Sequence, residues 1–258
     1  MQGGNITREP LIASWKQEER QPFSGWDFSH IDGRMLEEER PWSYPARATE
    51  LMQRASSMLD MGTAGGERLL ELQESWPAVV TVTEEYSPNI GIARERLEPL
   101  GVVVQEVRLT EDDPMPFSDQ EFDLVINRHA AFNSGEVARM LTTDGTFLTQ
   151  QVHGLWAQDL FDAFDTAPQW PHCTPERYVP MLEKAGLHII TAEEWRGTMA
   201  FLDVGALVYY LKANSWVVPD FSVDTHVDYL LALQERLDRE GRLTFDDRSY
   251  LIEAQKRH

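Results

Sequence analysis

Apolar residues in this chain fall into two alternating rhythms. Short, nearly continuous apolar runs at 57–61, 79–83, 102–107, 122–127 and 145–151 read as strands buried on both faces. Between them the spacing turns helical. Leu51, Met52, Ala55 and Met58 recur on one face, a helix is predicted over 66–75, and Ser87-Pro88 opens another with proline in its first turn. Further on, Thr174-Pro175-Glu176 starts a helix that runs to Lys184 and stops at Gly186, and 187–192 reads as a sixth strand. Asp203 is placed to cap a helix over 204–213, Ser222 to cap one reaching Arg239, and 250–254 reads as the last strand. Strand–helix alternation of this kind predicts an α/β fold built on a largely parallel sheet.

The first strand ends in Asp60 and runs into Gly62-Thr63-Ala64-Gly65-Gly66. Small residues after a strand let backbone approach a ligand closely, and a helix start beyond them offers unpaired N–H groups to a carboxylate or phosphate. The second strand ends at Glu84 and Glu85, where a carboxylate can accept the hydroxyls of a ribose. An acidic loop follows at Asp112-Asp113, then Pro116-Phe117 and Phe122-Asp123-Leu124-Val125, and then a helix, a turn at 143–145 and a fifth strand. Over residues 50 to 152 this order and spacing resembles the class I S-adenosylmethionine-dependent methyltransferases, in their type 11-like form. The chain departs from them in Ala64, where most members have glycine, and in Thr143-Asp144-Gly145, where relatives usually read Pro-Gly-Gly.

The resemblance implies a Rossmann-like sheet of seven strands, mostly parallel with one antiparallel strand and helices on both faces. It also implies S-adenosylmethionine as cofactor. Gly62, Thr63, Ala64 and Gly65 would line the amino-acid and ribose portion, and Asp60 would fix the turn or reach the amino group. Glu84, or Glu85 if the register differs by one, would hold the ribose. Asp112 or Asp113 would meet the adenine amino group, and Asn127, Arg128 and His129 would leave the fourth strand where the methyl group lies. His129 is the general-base candidate, since imidazole titrates near neutral pH; a positioning role competes with that reading. Residues 1–45 read as an aromatic cap, 46–196 and 246–258 as the core, and 197–245 as a helical insertion of the kind that often covers a substrate pocket. Trp26, Trp42, Trp156 and Trp216 are the tryptophans placed to reach a pocket.

Charge and cysteine content narrow the acceptor. With 43 acidic and 23 basic side chains the formal net charge is −20, which weighs against nucleic acid, whose binding draws on Lys and Arg neutralising phosphates. No apolar run approaches the ~20 residues that cross a bilayer, and the N-terminus shows no apolar signal region. Cys173 is the one cysteine, so no intrachain disulfide forms and a reducing cytoplasm is expected. His172-Cys173 offers two adjacent metal ligands with no spaced partners, so no metal is expected there. His153 follows the fifth strand and reads as a surface or packing residue, with a place bordering the acceptor site as the alternative. After the fourth strand Asn127-Arg128-His129-Ala130 lacks the Asn-Pro-Pro-aromatic turn of enzymes that methylate planar nitrogens. The expected function is therefore methyl transfer to a small-molecule acceptor. Alternatives are a non-catalytic cofactor-binding scaffold, an RNA methyltransferase, or a nicotinamide-dependent oxidoreductase.

Overall fold

A computed structural model describes residues 8–23 and 28–257. Its strands are β1 (Met35–Glu37), β2 (Ser57–Met61), β3 (Val79–Glu84), β4 (Val103–Glu106), β5 (Phe122–Arg128), β6 (Leu141–Val152), β7 (Leu187–Phe201) and β8 (Leu243–Lys256). Its α-helices are α1 (Arg8–Glu19), α2 (Tyr44–Met52), α3 (Glu67–Leu70), α4 (Ser87–Leu97), α5 (Ser134–Met140), α6 (Gln158–Ala163), α7 (Pro175–Lys184), α8 (Val204–Ala213) and α9 (Val227–Glu240). The strands hydrogen-bond in the order β1-β7-β8-β6-β5-β2-β3-β4. The sheet thus has eight strands where the sequence predicts seven. The addition is β1, whose residues 35–37 pair antiparallel with 199–201 of β7. Three residues carry no alternation to read, and their conformation comes from the partner strand.

Two compact units share the chain. One is assembled from Arg40–Gly154, His172–Trp195 and Ser249–His258. Here β4, β3, β2, β5 and β6 run parallel, and β8 joins β6 antiparallel. Successive strand residues point to opposite faces, so each strand feeds two cores. Leu59, Val125, Phe147 and Ile252 enter one with Phe132, Tyr178 and Leu182, while Met58, Leu124, Leu148 and Leu251 enter the other with Ala48, Ala93 and Leu97. The second unit comprises Met1–Glu39, Leu155–Pro171 and Arg196–Arg248. Its core gathers Trp15, Leu207, Leu211, Phe201 and Phe245, with Trp156 and Trp216 packed against it. Asp203 caps α8 by accepting from Ala206 N at 2.8 Å and is gripped by Arg34 at 2.9 and 2.7 Å. Trp26 lies outside the described residues.

Some element boundaries move for local reasons. The helix expected over 66–75 stops at Leu70, and Trp76 folds back so that its indole donates to Leu69 O at 3.1 Å. The helix expected from Ser222 begins at Val227, because the Ser222 hydroxyl accepts from Thr225 N at 3.1 Å and closes a turn first. The strands expected at 187–192 and 250–254 extend to 201 and back to 243, and both supply residues to each unit.

Candidate active site

The glycine turn is built by steric necessity at its start. Gly62 has φ +74°, and a Cβ there would lie 2.7 Å from Ala130 Cβ, beyond the end of β5. Any side chain would force these two chain segments apart. The N–H groups of Gly62 and Thr63 both donate to Thr83 O at 3.0 Å, which pins the turn against β3. Ala64 follows with φ +54°, a left-handed conformation that favours glycine. Gly66, at φ +82°, sits against Leu97. The helix beyond it is only one turn long, so it presents fewer aligned amides than the sequence predicts.

Glu84, at the tip of β3, faces this turn and is 6% exposed. Its Oε2 accepts from Ala64 N at 2.7 Å, and its Oε1 accepts from Glu85 N at 3.0 Å and Tyr86 N at 2.8 Å. A carboxylate has about four acceptor positions, so one is left, on Oε2. Glu85 is exposed and accepts from Leu109 N at 3.3 Å. Asp60 is buried below the turn. Burial pushes its pKa up to about 6, with the Thr63 hydroxyl opposing and the Glu84 charge adding to the rise.

A polar and aromatic group lies where β5 and β6 end. Asn127 is fully buried: Oδ1 accepts from Thr149 Oγ1 at 3.1 Å and Gln151 Nε2 at 2.5 Å, while Nδ2 is buried with no hydrogen-bond partner. Its carbonyl accepts from the Tyr44 hydroxyl at 3.3 Å. The Arg128 guanidinium stands over the Tyr44 ring at 5.8 Å. Trp42 donates through Nε1 to Gln150 Oε1 at 2.8 Å, and Gln150 Nε2 lies 3.4 Å from His129 Nε2. His129 has φ +61°. Desolvation by the packed surroundings and the guanidiniums of Arg128 and Arg40 push its imidazole down. The residue as a whole is exposed, so of these causes the two positive charges are the ones that solvent contact of the ring leaves in place.

Asp112 and Asp113 are exposed, and both backbone amides donate to Thr110 Oγ1, at 3.3 and 2.8 Å. Their neighbour Glu111 is the engaged acid of that loop: Arg177 grips both its oxygens, at 2.9 and 2.6 Å, and the Tyr178 hydroxyl donates to it. His153 is buried with its Nε2 3.7 Å from Glu194 Oε1. Tyr44, Gln150 and Gln151 are site-facing residues that the sequence reading does not single out. The available signal was the polar run Thr149-Gln150-Gln151 at the end of an apolar strand.

The donor set suits a nucleoside bearing an amino-acid tail. Glu84 keeps one acceptor beside the turn, the buried Asn127 Nδ2 lacks a partner, and Asp60 is a poorly solvated carboxyl whose charge a cationic group would offset. Several solved structures share the fold. A methyltransferase from Bacillus halodurans C-125, described as putative, superposes with a TM-score of 0.58 at 17% identity, covering 83% of this chain and 97% of its own. The YcgJ protein of Bacillus subtilis gives 0.56 at 18%, covering 83% and 98%, and a functionally unknown protein from Deinococcus radiodurans R1 gives 0.57 at 11%, covering 96% and 98%. No curated protein matches the sequence at a significant level.

The match of residues 59–149 to a methyltransferase-domain model and the shared fold support a class I methyltransferase, an enzyme whose methyl donor is S-adenosylmethionine. The model matched by residues 59–149 is that of the Methyltransf_11 family, a methyltransferase domain.

Proposed function

We propose that the protein transfers a methyl group from S-adenosylmethionine to a small-molecule acceptor, at O, N or C, in a cytoplasmic setting. The carrying observation is Glu84, held by three backbone amides beside the glycine turn with one acceptor position left for a ribose hydroxyl. In this reading Gly62, Thr63, Ala64 and Gly65 line the amino-acid and ribose end, with Asp60 beneath them. Asp112 or Asp113 serves the adenine amino group. Asn127 and Arg128 border the reacting end. Glu85, exposed and turned to Leu109 N, is the weaker ribose candidate. Methyl transfer is an in-line displacement at a carbon that the bound donor activates, so the protein's part is orientation, exclusion of water and, for some acceptors, removal of a proton.

For that last role His129 offers an imidazole whose pKa burial and the charges of Arg128 and Arg40 lower. A ring depressed in this way accepts a proton weakly, so positioning of the acceptor is the role we assign to it, with base catalysis reserved for acidic acceptors. The net charge of −20 supports a small acceptor over a polyanion.

Two measurements test the reading. S-adenosylmethionine and S-adenosylhomocysteine should raise the unfolding midpoint of the wild type while nicotinamide dinucleotides leave it unchanged, and Glu84→Gln should lose most of that rise. Incubating the enzyme with labelled donor and a cell extract should then yield, in the low-molecular-weight filtrate, a labelled compound that separates chromatographically from the donor and does not form without the enzyme. Label in RNA or protein would overturn the small-molecule assignment.

A further inference from the structure

We infer a binding site for a borderline-soft divalent cation, zinc in the first place, formed by Glu111, His172 and Cys173. The sequence spacing gives His172-Cys173 no partner; the fold supplies one. One ligand atom from each of the three residues lies within 4.8 Å of the other two. His172 Nε2 and Glu111 Oε1 are already 3.7 Å apart. A tetrahedral zinc ion with bonds of about 2.1 Å to N and O and about 2.3 Å to sulfur needs its ligands roughly 3.4–3.6 Å from one another. Closing the site therefore asks for shifts of about an ångström in side chains that include an exposed histidine. Nitrogen, thiolate sulfur and carboxylate oxygen together suit zinc and disfavour magnesium or calcium, which take oxygen.

Glu111 is now held by Arg177 through both oxygens and by Tyr178. Binding replaces one arm of that grip. Oε1, the oxygen nearest His172, goes to the metal, and Oε2 keeps its 2.6 Å bond to Arg177. A thiolate and a carboxylate neutralise the dication, so Arg177 then faces a site of no net charge and not an exposed positive one. An independent observation points to a missing group. The Tyr250 hydroxyl is buried with no hydrogen-bond partner, in a residue whose ring stacks at 6.5 Å on Tyr178. Three protein ligands leave a fourth position for water.

Such an ion would tie the 107–121 loop to the segment leading into α7. This inference does not depend on the methyltransferase reading, since a chain without methyl transfer would bind the metal equally. Untagged protein, dialysed against zinc and desalted, should retain one zinc per chain. Cobalt(II) in its place should give a sulfur-to-metal charge-transfer band. Cys173→Ser should abolish the band, and Cys173→Ser and His172→Ala should each lower zinc affinity at least about a hundredfold, more than the loss typical of outer-shell partners. Binding by thiolate releases a proton, so uptake should strengthen as pH rises. A readout on the unaltered chain guards against misfolded variants: zinc should slow alkylation of the single cysteine, and magnesium should not. No retained zinc, or retention and alkylation rates untouched by these changes, would overturn the site.

Discussion

Asp60 has a pH signature of its own. Its folded pKa of about 6 lies above the ordinary carboxyl value, so between those values the folded protein binds the proton more tightly than the unfolded chain. Stability should fall as pH rises from about 4 to about 6 and be flat in this group's contribution above that. Urea unfolding of the wild type and of Asp60→Asn should show this slope in the first and not in the second. The turn beside it separates two kinds of small residue. Gly62→Ala drives a methyl into Ala130 at positive φ and should cost on the order of 1–3 kcal/mol. Ala64→Gly relieves the left-handed strain at φ +54° and should gain up to about 1 kcal/mol, a rise of about 2–4 °C in Tm. The glycine pattern was legible in sequence because it encodes backbone conformation directly. Which acid meets the turn was not, since the choice between Glu84 and Glu85 depends on the pairing of β3 with β2 and β4. The same holds for Glu111, whose engagement depends on Arg177 and Tyr178, 66 and 67 residues away.

At the scale of elements, β2 and β5 were readable because they are apolar on both faces, and Asp203 announced α8 by its capping chemistry. By contrast β4, read as a buried strand, forms the sheet edge with Val103 half exposed and Glu106 exposed, because no strand pairs beyond it. Less legible were β1 and the far halves of β7 and β8, where exposed and buried positions mix and the strand is set by its neighbour. One contact between elements lies deep enough to test. Arg47 of α2 grips Glu253 of β8 through both oxygens at 2.6 Å, and the Glu253 side chain is only 6% exposed. Removing the guanidinium strands a buried carboxylate. Arg47→Ala should cost about 3 kcal/mol, near the low end for a broken buried pair because Arg47 itself is one-third exposed. Adding Glu253→Gln should restore part of that, because the stranded charge is gone. Chemical denaturation of the three variants checks both statements.

For the whole molecule, charge is the governing quantity. No helix among the described residues is long and apolar enough to cross a membrane. A net charge of −20 repels itself and repels polyanions. Raising salt from 50 to 500 mM should increase Tm by screening that repulsion. RNA binding measured by filter retention at 50 mM salt should be negligible; a salt-sensitive complex there would return RNA to the list of acceptors.

The unit holding α1 and α8 is stitched from three stretches, with Trp15 in the first and Leu207 in the third. During synthesis, at about 5–20 residues per second, the tryptophan waits for nearly the whole chain before its packing partners on α8 exist. Until α8 is made, α1 can meet only earlier-made neighbours such as Ile31, so a chain stalled before α8 would leave Trp15 without Leu207 to pack on and open to chaperone capture.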